Sequence, residues 1–558
     1  MFQATIAPIG GNLTASALVA CLPLLAFFIM LLGVKAKAHV SGLVALVVAI
    51  IVAVAGWGMP FGFALSSALQ GACYGAFPIA WIVIMAVWFY RMGVVSGRFE
   101  DLRSFFDQVG GGDIRIQAIL IAFCFGGLLE ALAGFGAPIA ITATMILALG
   151  VKPKRAAMAV LIANTAPVAY GAIGTPILTA GSVVSGGDAI VSAQVASHVA
   201  AIVGFQAPLF ALIVPFLLLV VLDGTKGLKD CWPPALVTGL SFALVQHWCS
   251  NYFAFELTDV IAAIVSMVCV VVFMKFWAPH NVNEARERFG LAPVEEGKQV
   301  KLSAVRTWMC LLPYLIVVVV FAVCKLGIGT WLATFNFKFA WPVIGGQILN
   351  AMGTDPGTSY TLNWFTNPGF MLLVAGLITA VIYSIFDYNG KFHMTMGQAT
   401  REIGKTFYDM RFAALTMVLV LSLAYVMNFS GQTISIGEAL AASGPLFALI
   451  SPILGWVGTA VTGSDTSANA LFSSLQYQAA ASNPSLAAVS PDLFLASNTM
   501  GGVVGKMISP QSLAIAAGAT GERESDIMRS VLPWSIGFLI ALCALVFLQA
   551  TVLAFILP

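Results

Sequence analysis

Long apolar runs separated by short polar stretches follow one another along nearly the whole chain. The runs have roughly the 17 to 25 residues that an α-helix needs to cross the hydrocarbon core of a bilayer. The pattern predicts an all-α polytopic membrane protein with about 12 full crossings plus shorter pieces, 12–14 transmembrane helices in all. The clearest predicted spans are 15–34, 40–57, 74–90, 114–133, 193–222, 234–248, 257–277, 308–328, 370–386, 412–428, 439–461 and 531–557.

The composition supports this class and excludes others. Hydrophobic residues make up 60% of the 558 residues and charged residues only 9%, which no water-soluble domain would show. The net charge of +2 leaves no basic surface for nucleic acid. Nine cysteines without C-x-x-C spacing and five scattered histidines predict neither a metal site nor a cofactor. The first 18 residues contain no Lys or Arg, so we expect the first apolar run to remain as a span.

Lysine and arginine residues fall in alternate loops, and short loops rich in these residues are held in the cytoplasm. Both termini and the long, weakly charged stretch 329–368 are therefore predicted to lie outside. The loops assigned to the cytoplasmic face carry Lys35, Lys37, Arg91, Arg98, Arg103, Lys152, Lys154, Arg155, Lys226, Lys229, Arg286, Arg288, Lys298, Lys301, Arg306, Lys391, Arg401, Lys405 and Arg411.

Two regions interrupt the apolar pattern with Gly, Pro and polar residues, and they resemble each other. In each, an Asn-Thr pair (Asn164 or Asn498) precedes a Gly by seven residues and a Pro by twelve. Such a match could arise by chance in a Gly-rich and Ala-rich chain. However, the helix leading to Gly134 starts from the cytoplasmic side and the helix leading to Gly463 starts from outside, which is the inverted arrangement of many secondary transporters.

The repeat predicts how the single transmembrane transporter domain, 1–558, is divided. We expect a first repeat core at 104–222, intervening scaffold spans and loops at 223–438 and a second repeat core at 439–558, each core with a re-entrant hairpin and a broken helix.

Interrupted helices at membrane depth indicate a cavity, because lipid cannot satisfy the freed backbone groups. The free N–H groups of a half-helix, together with neutral amide and hydroxyl donors, suit a small carboxylate. The alternative is that these small residues only allow close packing of helices. The candidate substrate-binding residues are Gly134, Phe135, Gly136, Asn164, Thr165, Tyr170, Thr175, Ser464, Thr466, Asn498, Thr499, Lys506 and Gln511.

Three ionisable residues stand in these interrupted regions, and an intramembrane charge is a functional hypothesis by default. Glu130 either carries a proton or makes a structural hydrogen bond. Asp465 either takes part in coupling or caps a half-helix. Lys506 either attracts the substrate or pairs with one of the two acids. The candidate proton-coupling residues are Glu130 and Asp465.

Several stretches resemble the L-lactate permease family over essentially the whole chain. They are Glu130-Ala-Leu-Ala-Gly-Phe-Gly-Ala-Pro138, Asn164-Thr-Ala-Pro-Val-Ala-Tyr170, Gly463-Ser-Asp-Thr-Ser-Ala-Asn-Ala-Leu-Phe472, Gly505-Lys-Met-Ile-Ser-Pro-Gln-Ser512 and Pro78-Ile-Ala-Trp-Ile82. The resemblance implies a bacterial inner-membrane symporter that takes up lactate, and in some members glycolate, with protons. It also implies the ion transporter superfamily, with elevator-type movement of a transport domain beside a scaffold.

The resemblance leaves several alternatives open. Family members commonly have Gly-Ala-Ala-Gly after the glutamate, whereas Leu132 interrupts that pattern here, so the preference among L-lactate, D-lactate and glycolate is not fixed. Sodium coupling is a variant, and a monocarboxylate channel or a lactate sensor is a weaker alternative. An enzyme is not expected, because no nucleophile stands beside a base. The oligomeric state is open, with a homodimer as one arrangement.

Overall fold

Helices dominate the computed structural model, which describes residues 1–98, 101, 112–132, 137–186, 188–291, 303–324, 328–351, 353, 355–388, 392 and 394–558. Within these ranges, eleven helices are long and apolar enough to cross a membrane. The number is twelve if the bent pair Pro153–Ala163 and Val168–Val184 forms one span. The predicted class, an all-α polytopic membrane protein with about twelve crossings, is confirmed.

The N-terminal helices form a first group, and one of them was not predicted. Phe77 has extended dihedral angles (φ −141°, ψ 120°) ahead of Pro78, so the apolar stretch Phe61–Val95 is two helices joined at a break. The predicted span 74–90 covers only the second of them. The helices are α1 (Leu13–Ala20), α2 (Leu22–Phe28), α3 (Ala38–Ala55), α4 (Phe61–Tyr74) and α5 (Trp81–Val95).

The first interrupted region follows as a set of shorter helices. A π-helical segment at Leu120–Phe125 continues the first of them, and a 3-10 turn at Val168–Tyr170 separates two others. The helices are α6 (Ile114–Ile119), α7 (Gly126–Leu132), α8 (Ala137–Ala148), α9 (Pro153–Ala163) and α10 (Gly171–Val184).

The longest helix, α11 (Ala189–Tyr252), crosses the membrane twice. Its 64 residues would extend about 96 Å as one rod, against a hydrocarbon core of about 30 Å. Gly224 (φ 66°) and Cys231 (φ −127°, ψ 19°) leave the helical conformation and reverse the chain. The two halves correspond to the predicted spans 193–222 and 234–248.

The remaining helices complete the predicted spans and the second interrupted region. They are α12 (Thr258–Phe273), α13 (Val282–Arg288), α14 (Ala304–Ala322), α15 (Gly329–Ala333), α16 (Pro368–Ile385), α17 (Met396–Ser430), α18 (Gln432–Ala441), α19 (Phe447–Thr462), α20 (Asp465–Ala481), α21 (Asp492–Lys506), α22 (Pro510–Thr520) and α23 (Glu524–Ala550), with 3-10 turns at Phe255–Leu257, Gly444–Leu446, Pro484–Leu486 and Ala554–Ile556.

The stretch 329–368 contains short strands as well as loops. Strand β2 (Phe337–Ala340) pairs antiparallel with β4 (Ser359–Leu362), and β1 (Phe2–Gln3) pairs parallel with β3 (Ile348–Leu349). The N-terminus and this stretch therefore lie on the same side of the protein, as predicted.

A cluster of ion pairs joins helix ends on the side of the protein opposite the N-terminus. The Arg115 side chain is fully buried and lies 2.7 Å from Asp113, 3.2 Å from Asp223 and 2.8 Å from Asp230. Arg288 of α13 also donates to Asp223 (Nε to Oδ1, 2.8 Å). The start of α6, the reversal of α11 and α13 are thus on one face, and the distribution of basic residues predicts that this face is cytoplasmic.

Buried apolar side chains form two clusters. One joins α1–α4 to α17 and α18, and the other joins α6–α12 to α19 and α21–α23. Helix α20 contributes to both, through Leu471 and Phe472 on one side and Ala479 and Ala480 on the other. Helix α12 shares its cluster with α7 although it falls in the predicted scaffold segment 223–438. The division of the chain at 104–222, 223–438 and 439–558 stays a prediction.

Candidate functional site

A buried ion pair joins the two interrupted regions. Lys506, at the end of α21, donates to Oε1 of Glu130 in α7, across 376 positions of sequence. Glu130 is 1% exposed and Lys506 is 9% exposed. Of the two partners considered for Lys506, the structure therefore selects Glu130. An ion pair this deep depends on both partners, because either charge alone would be costly to keep away from water.

A small cavity of about 30 Å³ lies beside this ion pair and receives residues from both regions. That volume is enough for one or two water molecules, and a 2-hydroxy acid needs more. The cavity is lined by Glu130, Val168, Gly171, Ala172, Pro176, Gly463, Ser464, Asp465, Thr466 and Lys506. Five of the predicted site residues, Glu130, Ser464, Asp465, Thr466 and Lys506, are thus brought together.

The first region is broken by backbone conformation. Ala172 (φ 44°), Ile173 (φ 58°) and Gly174 (φ 70°) are successive left-handed residues at the start of α10. Non-glycine residues in this conformation cost roughly 1–2 kcal/mol each, so the surrounding packing must hold them. A Cβ on Gly171 would lie 3.3 Å from Glu130 Oε1, so this glycine lets the carboxylate rest against the unwound backbone.

The second region is broken at Gly463 (φ 76°), where α19 ends and α20 begins. Ser464 caps α20 by accepting a hydrogen bond from Ser467 N at 3.2 Å. The capping role considered for Asp465 therefore belongs to Ser464, and Asp465 stands in the first turn, where the helix dipole favours a negative charge. A Cβ on Gly502 of α21 would lie 1.9 Å from Asp465 Oδ1, so the aspartate fits only because position 502 is glycine.

Two carboxylate oxygens on residues that line the cavity have no hydrogen-bond partner among the residues that the structure describes. They are Glu130 Oε2 and Asp465 Oδ2, both buried. Two acids share one lysine here, so full ionisation would leave a net charge of −1 away from water. Burying an unpaired charge is expensive, and a bound proton or cation would remove the cost.

The two Asn-Thr pairs occupy different surroundings. Asn164 and Thr165 end α9 next to Val503 and Lys506, and α9 meets the following helix at a bend of 60°. Asn498 precedes Lys506 by eight residues of α21, which is about 12 Å along the helix axis.

Asn498 and Thr499 belong to a network of neutral side chains that contacts one acid, since Asn469 Nδ2 donates to Asp465 O at 3.1 Å and to its Oδ1 at 3.4 Å. Asn498 donates to Asn469 Oδ1 at 2.9 Å and accepts from Gln476 Nε2 at 2.6 Å, and Thr499 donates to Asn469 Oδ1 at 3.0 Å. Ser451 joins through Gln476, whose Nε2 donates to Ser451 O at 3.2 Å. The structure thus brings Asn164 and Thr165 to the ion pair and places Asn498 and Thr499 two turns away, inside the second region.

Other predicted site residues have local partners. Tyr170 is fully buried and donates to Ala200 O at 2.8 Å, Thr175 donates to Ala172 O, and Gln511 covers Gly463. Gly134, Phe135 and Gly136 lie outside the described residues. Substrate contact by these residues, and by the Asn-Thr pairs, stays a prediction.

Sequence reasoning missed a further buried acid next to the site. Asp259, in the first turn of α12, is fully buried and accepts a hydrogen bond from Gln246 Nε2 at 2.9 Å. The rule that an intramembrane acid is a functional hypothesis would have found it. The predicted span begins at Leu257, so Asp259 is its third residue. Charged residues are common at that position, because the end of a span lies at the membrane surface.

The comparison with protein families agrees with the resemblance noted in the sequence. The family model described as L-lactate permease matches residues 16–553. The chain belongs to the L-lactate permease family. With its apolar helices, this makes it a multi-pass membrane protein, which in bacteria means the inner membrane, and a transporter in preference to an enzyme.

Individual relatives match over almost their full length. The Bacillus subtilis L-lactate permease is 37% identical, over 99% of this chain and 99% of that protein. The Escherichia coli glycolate permease is also 37% identical, over 98% and 97%, and the Escherichia coli L-lactate permease is 36% identical, over 98% of each. Among solved structures, the Alcanivorax borkumensis YdaH transporter covers 78% of this chain and 85% of its own at 14% identity, with a TM-score of only 0.32.

Proposed function

We propose that this protein is a secondary transporter that imports L-lactate, and related 2-hydroxy-monocarboxylates such as glycolate and D-lactate, together with protons. One observation carries the proposal. A buried Glu130–Lys506 ion pair lies beside a second buried acid, Asp465, where two broken regions of the membrane domain meet.

The charges of this site account for coupling. A 2-hydroxy acid is an anion at neutral pH, and a site with two acids and one lysine would repel it. A proton on Glu130 breaks the ion pair and leaves Lys506 free to bind the substrate carboxylate. Substrate and proton then enter together. The proton frees Lys506 for the substrate, and the substrate carboxylate replaces the counter-charge that Glu130 loses when it is protonated.

Neutral groups around the cavity complete the proposed site. Ser464 and Thr466, at the N-terminus of α20, lie where free backbone N–H groups and the positive end of the helix dipole favour an anion. Asn164 and Thr165 add an amide and a hydroxyl next to Lys506. The cavity holds only water-sized groups, so we propose that helix movement enlarges it for the substrate.

The movement itself is part of the proposal. Helix α6 starts at the ion cluster. Helix α19 follows the turn Gly444–Leu446, whose Gly444 O accepts from Asn483 Nδ2 at 2.8 Å, and Asp492, nine residues after Asn483, pairs with His198 near the start of α11, at the end away from the ion cluster. Helices that approach one cavity from opposite sides suit an inverted repeat and alternating access. We propose that the repeat cores 104–222 and 439–558 move as an elevator beside the scaffold, with a homodimer as the assembly.

Uptake of labelled L-lactate into proteoliposomes tests the function. We expect accumulation that follows an inward proton gradient and does not respond to sodium at fixed pH. Glu130→Gln should abolish the gradient response, whereas Glu402→Gln, which removes a carboxyl from the Glu402–Lys405 ion pair of α17, should keep it. Uptake that ignores the gradient in the unmodified protein would overturn proton coupling.

Glycolate is a second candidate for the preferred substrate. The glycolate permease relative is as similar to this chain as the lactate permease relatives are. Competition of labelled L-lactate by D-lactate, glycolate and pyruvate ranks the substrates. Saturable exchange would separate a carrier from a channel, and absence of any flux would leave a lactate sensor.

A further inference from the structure

Asp259 has no part in the mechanism described so far. Its side chain is fully buried, its Oδ1 accepts from Gln246 Nε2, and its Oδ2 has no hydrogen-bond partner within the described part of the chain. The same Gln246 nitrogen donates to Ala166 O at 3.1 Å. Asp259 is therefore linked, through one amide, to the unwound backbone of the first broken region.

Asp259 and its amide partner lie at about the depth of Glu130. The ion cluster fixes Asp113 and Asp230 at one level. Glu130 follows Asp113 by 17 residues, and Gln246 follows Asp230 by 16 residues. At 1.5 Å per helical residue, both side chains lie about 25 Å from the cluster.

The packing of α7 against α11 and α12 agrees with this estimate that Glu130 and Asp259 lie at the same depth. A Cβ on Gly127 would lie 3.6 Å from Phe242 of α11 and 3.9 Å from Ala263 of α12. Glu130 is one turn along α7 from this contact, and Asp259 is one turn along α12 from Ala263. Because α7 and α12 run in opposite directions, the two acids are displaced from the contact towards the same side of the membrane.

A large cavity reaches the residues just before Asp259. It has a volume of about 680 Å³ and is lined by Glu256 and by residues of the stretch 329–368, including Asn336 and Thr361. That stretch is on the side opposite the cytoplasmic ion cluster. Glu256 precedes Asp259 by three residues, about one helical turn, so the two acids lead inward from this external cavity.

The neighbours of Asp259 supply no positive charge. Within the described ranges, no ion pair includes Asp259. The titratable groups near it are Glu130 on α7, Glu256, the Tyr170 hydroxyl, which donates to Ala200 O, and the Cys249 thiol, which donates to Ala254 O. A carboxyl in this setting avoids the cost of an unpaired buried charge by holding a proton.

We propose that Asp259 is a proton-relay residue. A proton enters from the external cavity by way of Glu256, is held on Asp259 and passes to Glu130, where it releases Lys506 for the substrate. The proton and the substrate thus reach the central site by different routes. This inference rests on the proposed proton coupling.

Two transport modes in proteoliposomes separate the relay from substrate binding. Exchange of labelled for unlabelled L-lactate needs no net proton movement, whereas accumulation driven by a proton gradient does. Asp259→Asn keeps an oxygen that accepts from Gln246 but cannot carry a proton. We expect exchange to stay within about twofold and gradient-driven accumulation to fall about tenfold, a typical size for the coupling between two ligand sites.

Matched variants make the result specific. Ser266 lies on the same helix as Asp259, and Ser266→Ala removes its buried hydrogen bond to Thr238 O of α11 (2.9 Å). This variant should leave both modes unchanged. Asp259→Glu, which restores a carboxyl, should recover the gradient response. If Asp259→Asn does not yield folded protein, Glu256→Gln takes its place and should slow accumulation and leave exchange intact.

Two results would overturn the relay: accumulation by Asp259→Asn at the rate of the unmodified protein, or equal loss of exchange and accumulation, which would assign Asp259 to binding or packing. Failure of the proposed function looks different. The unmodified protein would then exchange L-lactate without any response to the proton gradient.

Discussion

The two broken regions that meet at the Glu130–Lys506 ion pair are held in different ways. The first, at 164–175, depends on left-handed backbone at Ala172 and Ile173 and on a glycine that admits Glu130. The second, around Gly463, is supported by a network of buried amides and hydroxyls across α19, α20 and α21. We therefore expect the first region to change its backbone conformation during transport, whereas the second keeps its internal hydrogen bonds as its core moves.

The largest expected effect comes from breaking the ion pair that joins the two regions. Lys506→Met leaves Glu130 buried without a counter-charge and should cost about 3–5 kcal/mol in free energy of unfolding, with loss of transport. Thermal unfolding in detergent would measure it. Lys338→Met, in the partly exposed ion pair with Asp188, is the control and should cost less than about 1 kcal/mol. An unchanged unfolding temperature in Lys506→Met would contradict a coupled ion pair.

The second prediction tests whether the second region is rigid. A Cβ on Gly455 of α19 would lie 2.0 Å from Asn498 O of α21, so Gly455→Ala must separate these helices and should cost about 3 kcal/mol. Gly518→Ala is the matched control, because no atom lies within 4 Å of its Cβ position. If both variants unfold at the same temperature, α19 and α21 are not held together as closely as we describe.

The third prediction compares the two Asn-Thr pairs. Asn498→Leu removes the hydrogen bonds that Asn498 makes with Gln476 Nε2 and Asn469 Oδ1 and should lower the free energy of unfolding by about 2 kcal/mol. Asn164→Leu, next to Lys506, should keep its unfolding temperature and lose uptake of labelled L-lactate. The reverse pattern would assign substrate contact to Asn498 and support to Asn164.

The smallest expected effect concerns the strained backbone. Ala172→Gly relieves a left-handed residue, which offsets the greater freedom of glycine in the unfolded chain, so the free energy of unfolding should change by less than about 0.5 kcal/mol. Ala163→Gly, in the regular helix α9, should cost about 1 kcal/mol. A larger loss in Ala172→Gly than in Ala163→Gly would show that residue 172 is not strained.

The lengths of the apolar runs predicted most of the membrane-spanning helices. The helix that they did not predict, α4, was missed for a physical reason. Helix α4 was not predicted, since Ser66, Ser67 and Gln70 lower its hydropathy. The buried Ser66 donates to Pro342 O at 2.7 Å, and the buried Gln70 donates through Nε2 to Gly357 O at 3.1 Å. The partners come from a loop about 280 residues away, which no local pattern reveals.

The candidate site was predictable to the extent that it depends on charge. Glu130, Asp465 and Lys506 stood out as ionisable residues in apolar surroundings, and the structure brings them to one cavity. The environment of Asn498 was not predictable, because a buried amide that binds a ligand and one that bridges helices look alike in a sequence. Asp259 was missed because depth in the membrane depends on where the helix starts.

The side chains that join α19, α20 and α21 around Asn469 and Asn498 are amides and hydroxyls, and this has a consequence for how the transporter responds to its surroundings. Neither acidification nor a change in membrane voltage alters the charge of an amide or a hydroxyl. The hydrogen bonds that hold these three helices together therefore do not depend on pH. A proton gradient acts on the second region through Asp465, which Asn469 contacts, and through Lys506.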